Sequence, residues 1–467
     1  MRSRVSSFPR NEQCSTLVTF PNGDSEMVEL TSSASQKSSL VSLLKTIAGA
    51  GLLSIPFAFS TDGLICGILM IVLAGVTSGY GLFLQVYTSK YVPTGHATFF
   101  NLCSITYPTL SVVFDIAIAT QCFGCAISYL VLIGDLMPTI ITEVPFISRE
   151  NYKQFWTLSS AVLCVPLSFL KNLDSLKYTS VLGLAAIGYV AVLVVAQFVL
   201  GSVPASYKGE VSLFPQSVTG IFSTFSIVVF AFTGHQNMFS IINEARNKSL
   251  SSLSTLVNLA VIISGILFII VGVAGYLTFG DLVNGNVVLS YPNAVSTTLG
   301  RFAIVFMVVF SFPLMIHPAR ISVNNIYFWT LVNVFGKTTH AANGESNSLL
   351  LPPDQDHDET SPLIPNNKAY LVPFPDSTLY AITAILLLVG YTAAISIKSF
   401  ALVLAVVGAT GSTAISFILP GLFGYKLIGS ESDDPSSLER ILKVLGLCLT
   451  IWGVTVMVVC LYSSLAL

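Results

Sequence analysis

The stretch LLKTIAGAGLLSIPF, residues 43–57, begins as a membrane-spanning helix would but is interrupted in three ways. Lys45 places an ammonium group inside an apolar run. The triplet GAG at 49–51 is a poor helix former, and Pro56 lacks the amide hydrogen that a continuous helix uses. Irregular backbone is tolerated within a bilayer only where it is buried in protein or lines a cavity. The stretch therefore predicts a broken helix beside a binding site.

The composition is that of an integral membrane protein. Hydrophobic residues make up 53% of the 467 residues and charged residues only 9%, whereas soluble domains carry roughly a quarter charged residues. We find no basic patch with interleaved aromatic residues, so the sequence predicts no nucleic-acid partner. The CxxC pair of Cys122 and Cys125 stands alone in an apolar segment, so we expect packing there and no metal site. We find no nucleophile–base pair, so the sequence predicts neither an enzyme nor a cofactor.

Eleven segments are long and apolar enough to cross the bilayer, which takes about 20 residues. With this number, most of the 21 Lys and Arg residues fall on the side of the N-terminus, which the positive-inside rule assigns to the cytosol. The sequence thus predicts a multi-pass protein with a cytosolic N-terminus and a lumenal C-terminus. The segments lie near residues 41–60, 63–87, 108–140, 154–170, 176–200, 216–241, 256–279, 295–318, 377–397, 399–424 and 440–463.

Two polar regions flank or interrupt these segments. Residues 1–40 are Ser/Thr-rich without the apolar core of a signal peptide, and they predict a disordered cytosolic tail. Residues 325–376 predict a flexible cytosolic loop between the eighth and ninth spans. Two sequences in this loop have the form of acidic dileucine signals that vesicle adaptors read; an inert spacer is the alternative. Their residues are Glu345, Leu349 and Leu350, and Glu359, Leu363 and Ile364.

The sixth span is interrupted as the first is, here by FTGH at 232–235. Glycine-containing breaks at corresponding positions of two halves are typical of inverted-repeat transporters with a site at the bilayer midplane. We therefore predict an inverted 5+5 arrangement of a repeat at about 41–200 and a repeat at about 216–424. A helix at about 440–463 is then an addition, and residues 41–467 form one eleven-helix domain.

A break in each of two helices suits a zwitterionic ligand. Amides where the first helix resumes, near Leu52, lie at the positive end of a helix dipole and can hold a carboxylate. Carbonyls near Phe232 and Thr233 can accept hydrogen bonds from an ammonium group. The alternative is that the glycines only permit close helix packing. The predicted substrate-binding residues are Thr46, Gly49, Ala50, Gly51, Leu52, Phe232, Thr233, Gly234 and His235.

Ionisable groups inside a membrane are costly and usually mark a pathway or a coupling site. Lys45, Asp115, Asp135, His235 and His317 lie within the predicted spans. His235 titrates near neutral pH and lies at the second break, which makes it a candidate for substrate contact or proton transfer. A neutral histidine that binds free carbonyls, and aspartates that cap or bridge helices, would look the same in sequence.

Four motifs stand out along the chain: LLKTIAGAGLLSIPFAF (43–59), QCFGCAISYLVLIGDLMP (121–138), FAFTGHQNMFSIINE (230–244) and FSFPLMIHPAR (310–320). In this order they resemble the motifs of the amino acid/auxin permease family, and within it the chain is most similar to the fungal vacuolar amino-acid transporters. The resemblance extends over nearly all eleven spans and implies a LeuT-like fold of the APC superfamily, with a site between spans 1, 3, 6 and 8. It also implies amino-acid symport or antiport coupled to protons.

The resemblance also suggests a role for Lys45. Sodium-coupled members have an Asn at this position and a Thr where this chain has Ser311, and the two help to bind sodium. Proton-assisted members have Lys at the first position, with a His three residues earlier, where this chain departs with Ser42. The resemblance therefore implies that Lys45 occupies the cation position, with Ser311 as its partner. A lysine that extends to water from the end of the span is the alternative.

These observations predict a vacuolar or lysosome-like membrane transporter that exports neutral amino acids to the cytosol with protons, coupled through Lys45, Ser311 and His235. Three alternatives stay open: a proton antiporter that loads the vacuole, a sodium-coupled importer of the plasma membrane, and an amino-acid sensor without transport. The sequence does not determine which amino acid is bound.

Overall fold

The computed structural model describes residues 15–19, 25–29, 34–170, 177–215, 217–333, 374–397, 399–432 and 434–465. Within these residues, ten helical segments are long and apolar enough to cross a membrane. This confirms the prediction of a helical integral membrane protein. The ten segments are Gln36–Asp62, Leu64–Tyr91, Pro108–Ile140, Val181–Leu200, Thr219–Glu244, Leu250–Leu282, Val295–Leu331, Asp376–Ser396, Phe400–Leu427 and Ser437–Leu465.

The elements follow one another with short connections. The strands are β1 (Ser15–Thr19) and β2 (Ser25–Glu29). The helices are α1 (Gln36–Ile47), α2 (Ile55–Asp62), α3 (Leu64–Thr88), α4 (Phe99–Thr106), α5 (Ser111–Ile140), α6 (Tyr152–Ser159), α7 (Ala161–Ser168), α8 (Lys177–Leu200), α9 (Val218–Ala231), α10 (His235–Glu244), α11 (Leu250–Phe279), α12 (Val287–Ser290), α13 (Val295–Asn333), α14 (Asp376–Ser396), α15 (Phe400–Val407), α16 (Leu419–Leu427) and α17 (Ser437–Leu465).

The first span is broken where the sequence predicts it. α1 ends at Ile47, and a 3-10 helix over Ala50–Ser54 connects it to α2. Pro56 lies in the first turn of α2, where a missing amide hydrogen costs nothing and the fixed φ favours the helix. The proline therefore helps α2 to begin. We call α1, the 3-10 helix and α2 together the first broken helix.

The sixth predicted span is also broken, between α9 and α10. α9 ends at Ala231, and α10 begins at His235. The hydroxyl of Thr233 donates to the carbonyl oxygen of Val229 at 2.8 Å, so it satisfies one of the carbonyls that a helix end leaves without a partner. We call α9 and α10, with the linker between them, the second broken helix.

The two broken helices run antiparallel and are in contact at both ends and at the breaks. At one end, the amide of Ala34, just before α1, donates to the carbonyl oxygen of Glu244 at 3.2 Å. At the breaks, a Cβ built on Gly51 would lie 2.7 Å from the Cα of Ala231. At the other end, Thr224 donates to Asp62. We call the end of the bundle where α1 begins the N-terminal face, and the end where α2 finishes the opposite face.

The predicted span at 154–170 is divided between α6 and α7, so it is not among the ten continuous segments. The division lies at Ser160, whose hydroxyl donates to the carbonyl of Thr157 at 2.6 Å. A serine that bonds to a carbonyl of the preceding turn competes with the helical hydrogen bonds there. The number of eleven continuous spans is therefore not confirmed.

Residues 152–168 nevertheless extend from the opposite face toward the N-terminal face. Lys153 forms an ion pair of 2.8 Å with Asp135 near the end of α5. At the other end, the guanidinium of Arg320 donates to the carbonyl oxygen of Ser168 at 2.9 Å. Arg320 lies one turn or so from Asn325, which contacts Asp115 at the start of α5. The pair α6–α7 thus packs against α5 through α6 and against α13 through α7.

The predicted N-terminal tail contains structured residues. β1 pairs with β2 in antiparallel register, which the alternation of Thr, Leu and Val permits, although an isolated pair of strands has little stability of its own. α1 begins at Gln36, before the predicted boundary at 40, because the side chain of Ser35 caps it by accepting from the amide of Ser38.

The predicted loop at 325–376 is only partly within the described residues. α13 continues to Asn333, the ninth residue of that range, and α14 begins at its last residue, Asp376. The two acidic dileucine sequences, at 345–350 and 359–364, lie outside the described residues. Adaptor binding there stays a prediction of the sequence.

We expect Gly51→Ala to destabilise the protein, because its new methyl group would meet the backbone of Ala231. Overpacking of this kind costs about 1–3 kcal/mol. Gly49→Ala is the matched control, since a Cβ there meets no neighbouring atom closer than 3.5 Å. Thermal unfolding in detergent measures both variants. Equal melting temperatures for the two would contradict the close contact between the broken helices.

Candidate functional site

A cavity of about 260 Å³ lies beside the two breaks. α1, α5, α10 and α13 contribute its walls, so it lies between the first, third, sixth and eighth predicted spans. Ser240 and Glu244 of α10 line it and are exposed to solvent. Both residues lie near the N-terminal face, so the cavity opens toward that face.

Many of the predicted site residues meet in this cavity. The first broken helix contributes both its backbone break and two polar side chains, and the second contributes Thr233. The first amides of a helix and the last carbonyls of another have no partner inside their own helix. A cavity beside both ends can therefore offer donors and acceptors to one small zwitterion. The predicted residues that line it are Lys45, Thr46, Gly49, Ala50, Gly51, Thr233 and Ser311.

Four predicted residues do not line the cavity. Leu52 is buried in the apolar core, and the ring of Phe232 packs edge-on against Phe268 at 4.9 Å. Gly234 packs against the side chain of Ile47, which would lie 2.8 Å from a Cβ at that position. The fourth is His235. Successive side chains of a short linker point in different directions. A residue next to a helix break in the sequence therefore does not always line the cavity.

His235 is fully buried on the far side of the second broken helix. Its Nε2 donates to the carbonyl oxygen of Ser78 on α3 at 3.1 Å, because a carbonyl can only accept. Its Nδ1 lies 3.0 Å from the hydroxyl of Ser416. The imidazole therefore joins α10 to α3 and to the span of α15 and α16. The structure places it away from the cavity, in the structural arrangement that the sequence left open as an alternative.

Lys45 lies where three helices meet. A Cβ built on Gly183 of α8 would lie 3.3 Å from Lys45 Cε and 3.2 Å from the Cγ of Met307 on α13. Ser311, one helical turn after Met307, lines the same cavity. The side chain of Lys45 thus lies at the junction of α1, α8 and α13, beside the cavity wall that contains Ser311.

The other ionisable residues singled out in the spans lie elsewhere. Asp115 is buried and accepts from the amide of Asn325 at 3.1 Å, which ties α5 to α13 near the N-terminal face. Asp135 pairs with Lys153 near the opposite face. His317 lies on α13 and does not line the cavity. The two aspartates bridge helices, which is the simpler of the two roles that the sequence allowed.

Several polar residues of the cavity were not singled out from the sequence. Gln121, Cys125 and Tyr129 recur every four residues on α5, which places them on one face of that helix. On α10, Gln236 and Ser240 share the same spacing. Periodicity within the quoted motifs could have found both sets.

Gln121 is fixed by an irregular helix. Between α15 and α16 the chain forms two turns of π-helix, Gly408–Ser412 and Ala414–Ile418. Ser412 in the first of them donates to Oε1 of Gln121 at 2.7 Å. Because the oxygen is engaged, the amide nitrogen is the group that Gln121 offers to a ligand. π-Helical turns are frequent at functional sites.

The opposite face is closed by a hydrogen-bonded connection. Ser54 of the first broken helix donates to the carbonyl of Gly285 at 2.5 Å. The guanidinium of Arg301, which is buried, donates to the carbonyls of Val288 and Tyr291 at 3.3 Å and 2.7 Å. Both contacts hold the segment around α12 against the bundle. The cavity is therefore open on one face and sealed on the other.

Comparison with known proteins agrees with this architecture. Residues 32–463 match the family model described as "Transmembrane amino acid transporter protein". The chain is 40% identical to Vacuolar amino acid transporter 7 of Saccharomyces cerevisiae over 492 residues, which cover 94% of this chain and 98% of that protein. It is 43% identical to Vacuolar amino acid transporter 6 of the same yeast over 450 residues, 93% of this chain and 99% of that one.

A more distant similarity connects the chain to an animal protein. It is 28% identical to Sodium-coupled neutral amino acid transporter 7 of Danio rerio over 280 residues, which cover 57% of this chain and 59% of that protein. The family match spans nearly the whole chain, and the yeast relatives match it end to end. The resemblance found in the four sequence motifs is thus confirmed, and the chain belongs to the transmembrane amino acid transporter family.

Proposed function

We propose that this protein is a secondary active transporter of the vacuolar or lysosome-like membrane that exports neutral amino acids from the lumen to the cytosol together with protons. The observation that carries the proposal is the cavity at the breaks of two antiparallel helices. The names of the yeast relatives, which are vacuolar amino acid transporters, support the membrane and the substrate class.

The geometry of the helix breaks supports an amino acid as the ligand. Ala50 and Gly51 lie at the start of the 3-10 helix, where helix amides and the helix dipole favour a carboxylate. Carbonyls at the end of α9 suit an α-ammonium group. Gln121, Asn237 and Ser240 add neutral polar groups around the remaining space. These neutral groups support a neutral side chain on the substrate.

The direction of the helices supports the inverted 5+5 arrangement and eleven crossings. The second broken helix can run antiparallel to the first only if the chain crosses the membrane an even number of times between them. α3, α5 and α8 supply three of these crossings. The segment α6–α7 extends from the level of Asp135 to that of Arg320 and supplies the fourth. On this path α17 is the eleventh crossing, and the N- and C-termini lie on different faces.

The exposed mouth of the cavity supports a state open to the cytosol. With the N-terminus in the cytosol, as the Lys and Arg distribution indicates, Ser240 and Glu244 lie at the cytosolic mouth. A proton symporter between an acidic lumen and the cytosol runs toward the cytosol, so export is the proposed direction. A proton antiporter that loads the vacuole would use the same fold.

Lys45 and Ser311 support proton coupling. Both line the cavity where the resemblance implies a cation position. An ammonium group near that position repels sodium, and the proton affinity of a partly buried lysine changes readily with its surroundings. A sodium-coupled transporter of the plasma membrane is the competing function, which the similarity to the Danio rerio protein favours. An amino-acid sensor without transport is the third function.

Flux measurements test the proposal directly. We expect purified protein in vesicles to move neutral amino acids down an imposed pH gradient, with no effect of a sodium gradient at constant pH. A panel of radiolabelled amino acids, with the two gradients varied separately, measures this. Flux that follows sodium alone would favour the plasma-membrane importer, and binding without flux would favour a sensor.

Lys45→Asn should abolish the response to pH, because it removes the ammonium group from the cavity wall. We expect pH-driven uptake to fall at least about tenfold, the effect of roughly 1.4 kcal/mol. Lys37→Asn is the matched control, since Lys37 is exposed in the first turn of the same helix. Full pH-driven transport by Lys45→Asn would show that the role assigned to Lys45 is wrong.

His235→Gln should lower stability and leave the pH profile of transport unchanged. The imidazole bonds to Ser78 and Ser416 away from the cavity, and loss of buried hydrogen bonds costs about 1–3 kcal/mol. Asn237→Ala, on the same helix, lines the cavity and should raise KM instead. Melting temperature and flux against pH separate the two effects. A shifted pH profile for His235→Gln would return His235 to the coupling residues.

A further inference from the structure

Asp62 is a buried acid that the proposed transport mechanism does not use. It is the last residue of α2 and is 0% exposed. Its Oδ1 accepts from the hydroxyl of Thr224 at 2.5 Å. Its Oδ2 is buried and has no hydrogen-bond partner among the described residues. A carboxylate removed from water with a single hydrogen bond is costly, whereas the neutral acid is much less so.

The helices around Asp62 offer no cation to pair with it. Lys, Arg and His are absent from α2 and from the elements packed against it: the first 3-10 helix, α3, α9, α11 and the turn Gly280–Leu282. The titratable groups on these elements near this face are the thiol of Cys66, the hydroxyl of Tyr276 and the carboxylate of Asp281. Tyr276 is engaged with Ser212, and Asp281 is exposed. In the loop before α9, Lys208 and Glu210 add one charge of each sign. Lys208 is exposed.

Thr224 lets Asp62 exist in two protonation states. The Thr224 hydroxyl lies 2.5 Å from Asp62 Oδ1 and 2.9 Å from the carbonyl oxygen of Gly220. When Asp62 is ionised, the hydroxyl donates its one hydrogen to the carboxylate. When Asp62 is protonated, the acid donates to the hydroxyl, which then donates to Gly220. The second arrangement buries no charge, and it gives both the acid proton and the Thr224 hydroxyl hydrogen an acceptor.

Asp62 lies at the seal of the opposite face. Next to it, a Cβ on Gly220 of α9 would collide with Thr61 of α2. Gly63 has a φ of +73°, and a Cβ there would lie 2.6 Å from the carbonyl of Phe214. The amide of Leu64 donates to the carbonyl of Ser212 at 3.0 Å. Transport requires the opposite face to open, and opening at the end of α2 admits water to the carboxyl group of Asp62.

We propose that Asp62 is a proton-binding site of the opposite face, and that a proton from the lumen must bind it before this face can close. The inference rests on the proposed function, which makes this face lumenal and acidic. It concerns a different proton from the one that drives transport at Lys45, because Asp62 lies at the far end of the first broken helix from the cavity mouth.

The sign of the effect follows from the cost of burial. In an acidic lumen a larger fraction of Asp62 is protonated while the face is open. Closing with a neutral acid transfers no charge out of water, so the transport cycle proceeds. In a neutral lumen Asp62 is ionised when the face is open, and closing must strip water from a carboxylate. The transporter then stays open to the lumen. Transport should therefore slow as lumenal pH rises, even when no pH gradient is present.

Exchange of labelled for unlabelled amino acid, at equal pH on both sides, tests this. We expect wild-type exchange to fall by about fivefold or more between pH 5 and pH 7, the effect of one buried unpaired group. Asp62→Asn mimics the neutral acid and should make exchange independent of pH, while uptake driven by a pH gradient is retained. Asp281→Asn, an exposed acid on the same face, is the matched control and should behave as the wild type does.

Two results would overturn the inference. One is wild-type pH dependence in Asp62→Asn. The other is loss of gradient-driven uptake with exchange intact, which would make Asp62 the coupling site itself. If Asp62→Asn does not fold, Thr224→Val and Thr224→Ser decide: Val should steepen the loss of exchange at high pH, Ser should not, and equal profiles would overturn the inference.

A labelling experiment is independent of transport. Thr61→Cys, in a background without other reactive cysteines, reports whether the opposite face is open to a membrane-impermeant maleimide. At pH 7 we expect labelling to be about fivefold slower when Asp62→Asn is added than when Asp62 is kept. Because both proteins are labelled at the same pH, the reactivity of the thiol cancels. Equal rates would overturn the inference, whereas absence of flux in the wild type would overturn only the proposed function.

Discussion

The contact between Gly51 and Ala231 is the constraint on which the arrangement depends. Two helices approach with their backbones almost touching, at the point where both lose regular hydrogen bonding. Only a residue without a side chain permits this distance, and only a break in both helices turns their amides and carbonyls toward one space. Close packing and the proposed ligand binding are therefore both consistent with the same triplet. The sequence presented them as alternatives, and the geometry shows that they are compatible.

The two faces of the bundle differ in the kind of contact that closes them. At the N-terminal face, exposed polar side chains such as Ser240 and Glu244 surround the mouth of the cavity. At the opposite face, buried polar groups hold main-chain carbonyls: Ser54 holds Gly285, and Arg301 holds the turn at Tyr291. Contacts of this second kind are directional and few. Such a seal can be released by breaking a small number of hydrogen bonds without disrupting an apolar core, which suits a face that must open and close.

The two helix breaks could be predicted from the sequence because glycine and proline act on the local backbone. The direction in which each side chain points around the helix axis could not be predicted. Lys45 was found because a charge in an apolar run is conspicuous. His235 was assigned to the wrong side, since one residue of rotation in a linker turns a side chain by about 100°. Asp62 was missed because an acid next to a glycine is typical of a helix end that is exposed to water. Its burial depends on a loop about 150 residues later in the chain. The division of the predicted fourth span at Ser160 depends on one hydroxyl group, and the hydrophobic periodicity of the sequence does not reveal it.

The positions of Lys45 and His235 favour different roles for the two residues. A group that couples protons to transport must be reached from each side in turn. Lys45 lies on the wall of a cavity that already opens to one face, at a junction of α1 with α8 and α13. His235 is enclosed by α3 and by the π-helical turn that contains Ser416, and its ring nitrogens are both engaged. Protonating it would break no contact with the cavity and would require those helices to part. The charge at the first break, and not the histidine at the second, therefore has the geometry of a coupling group.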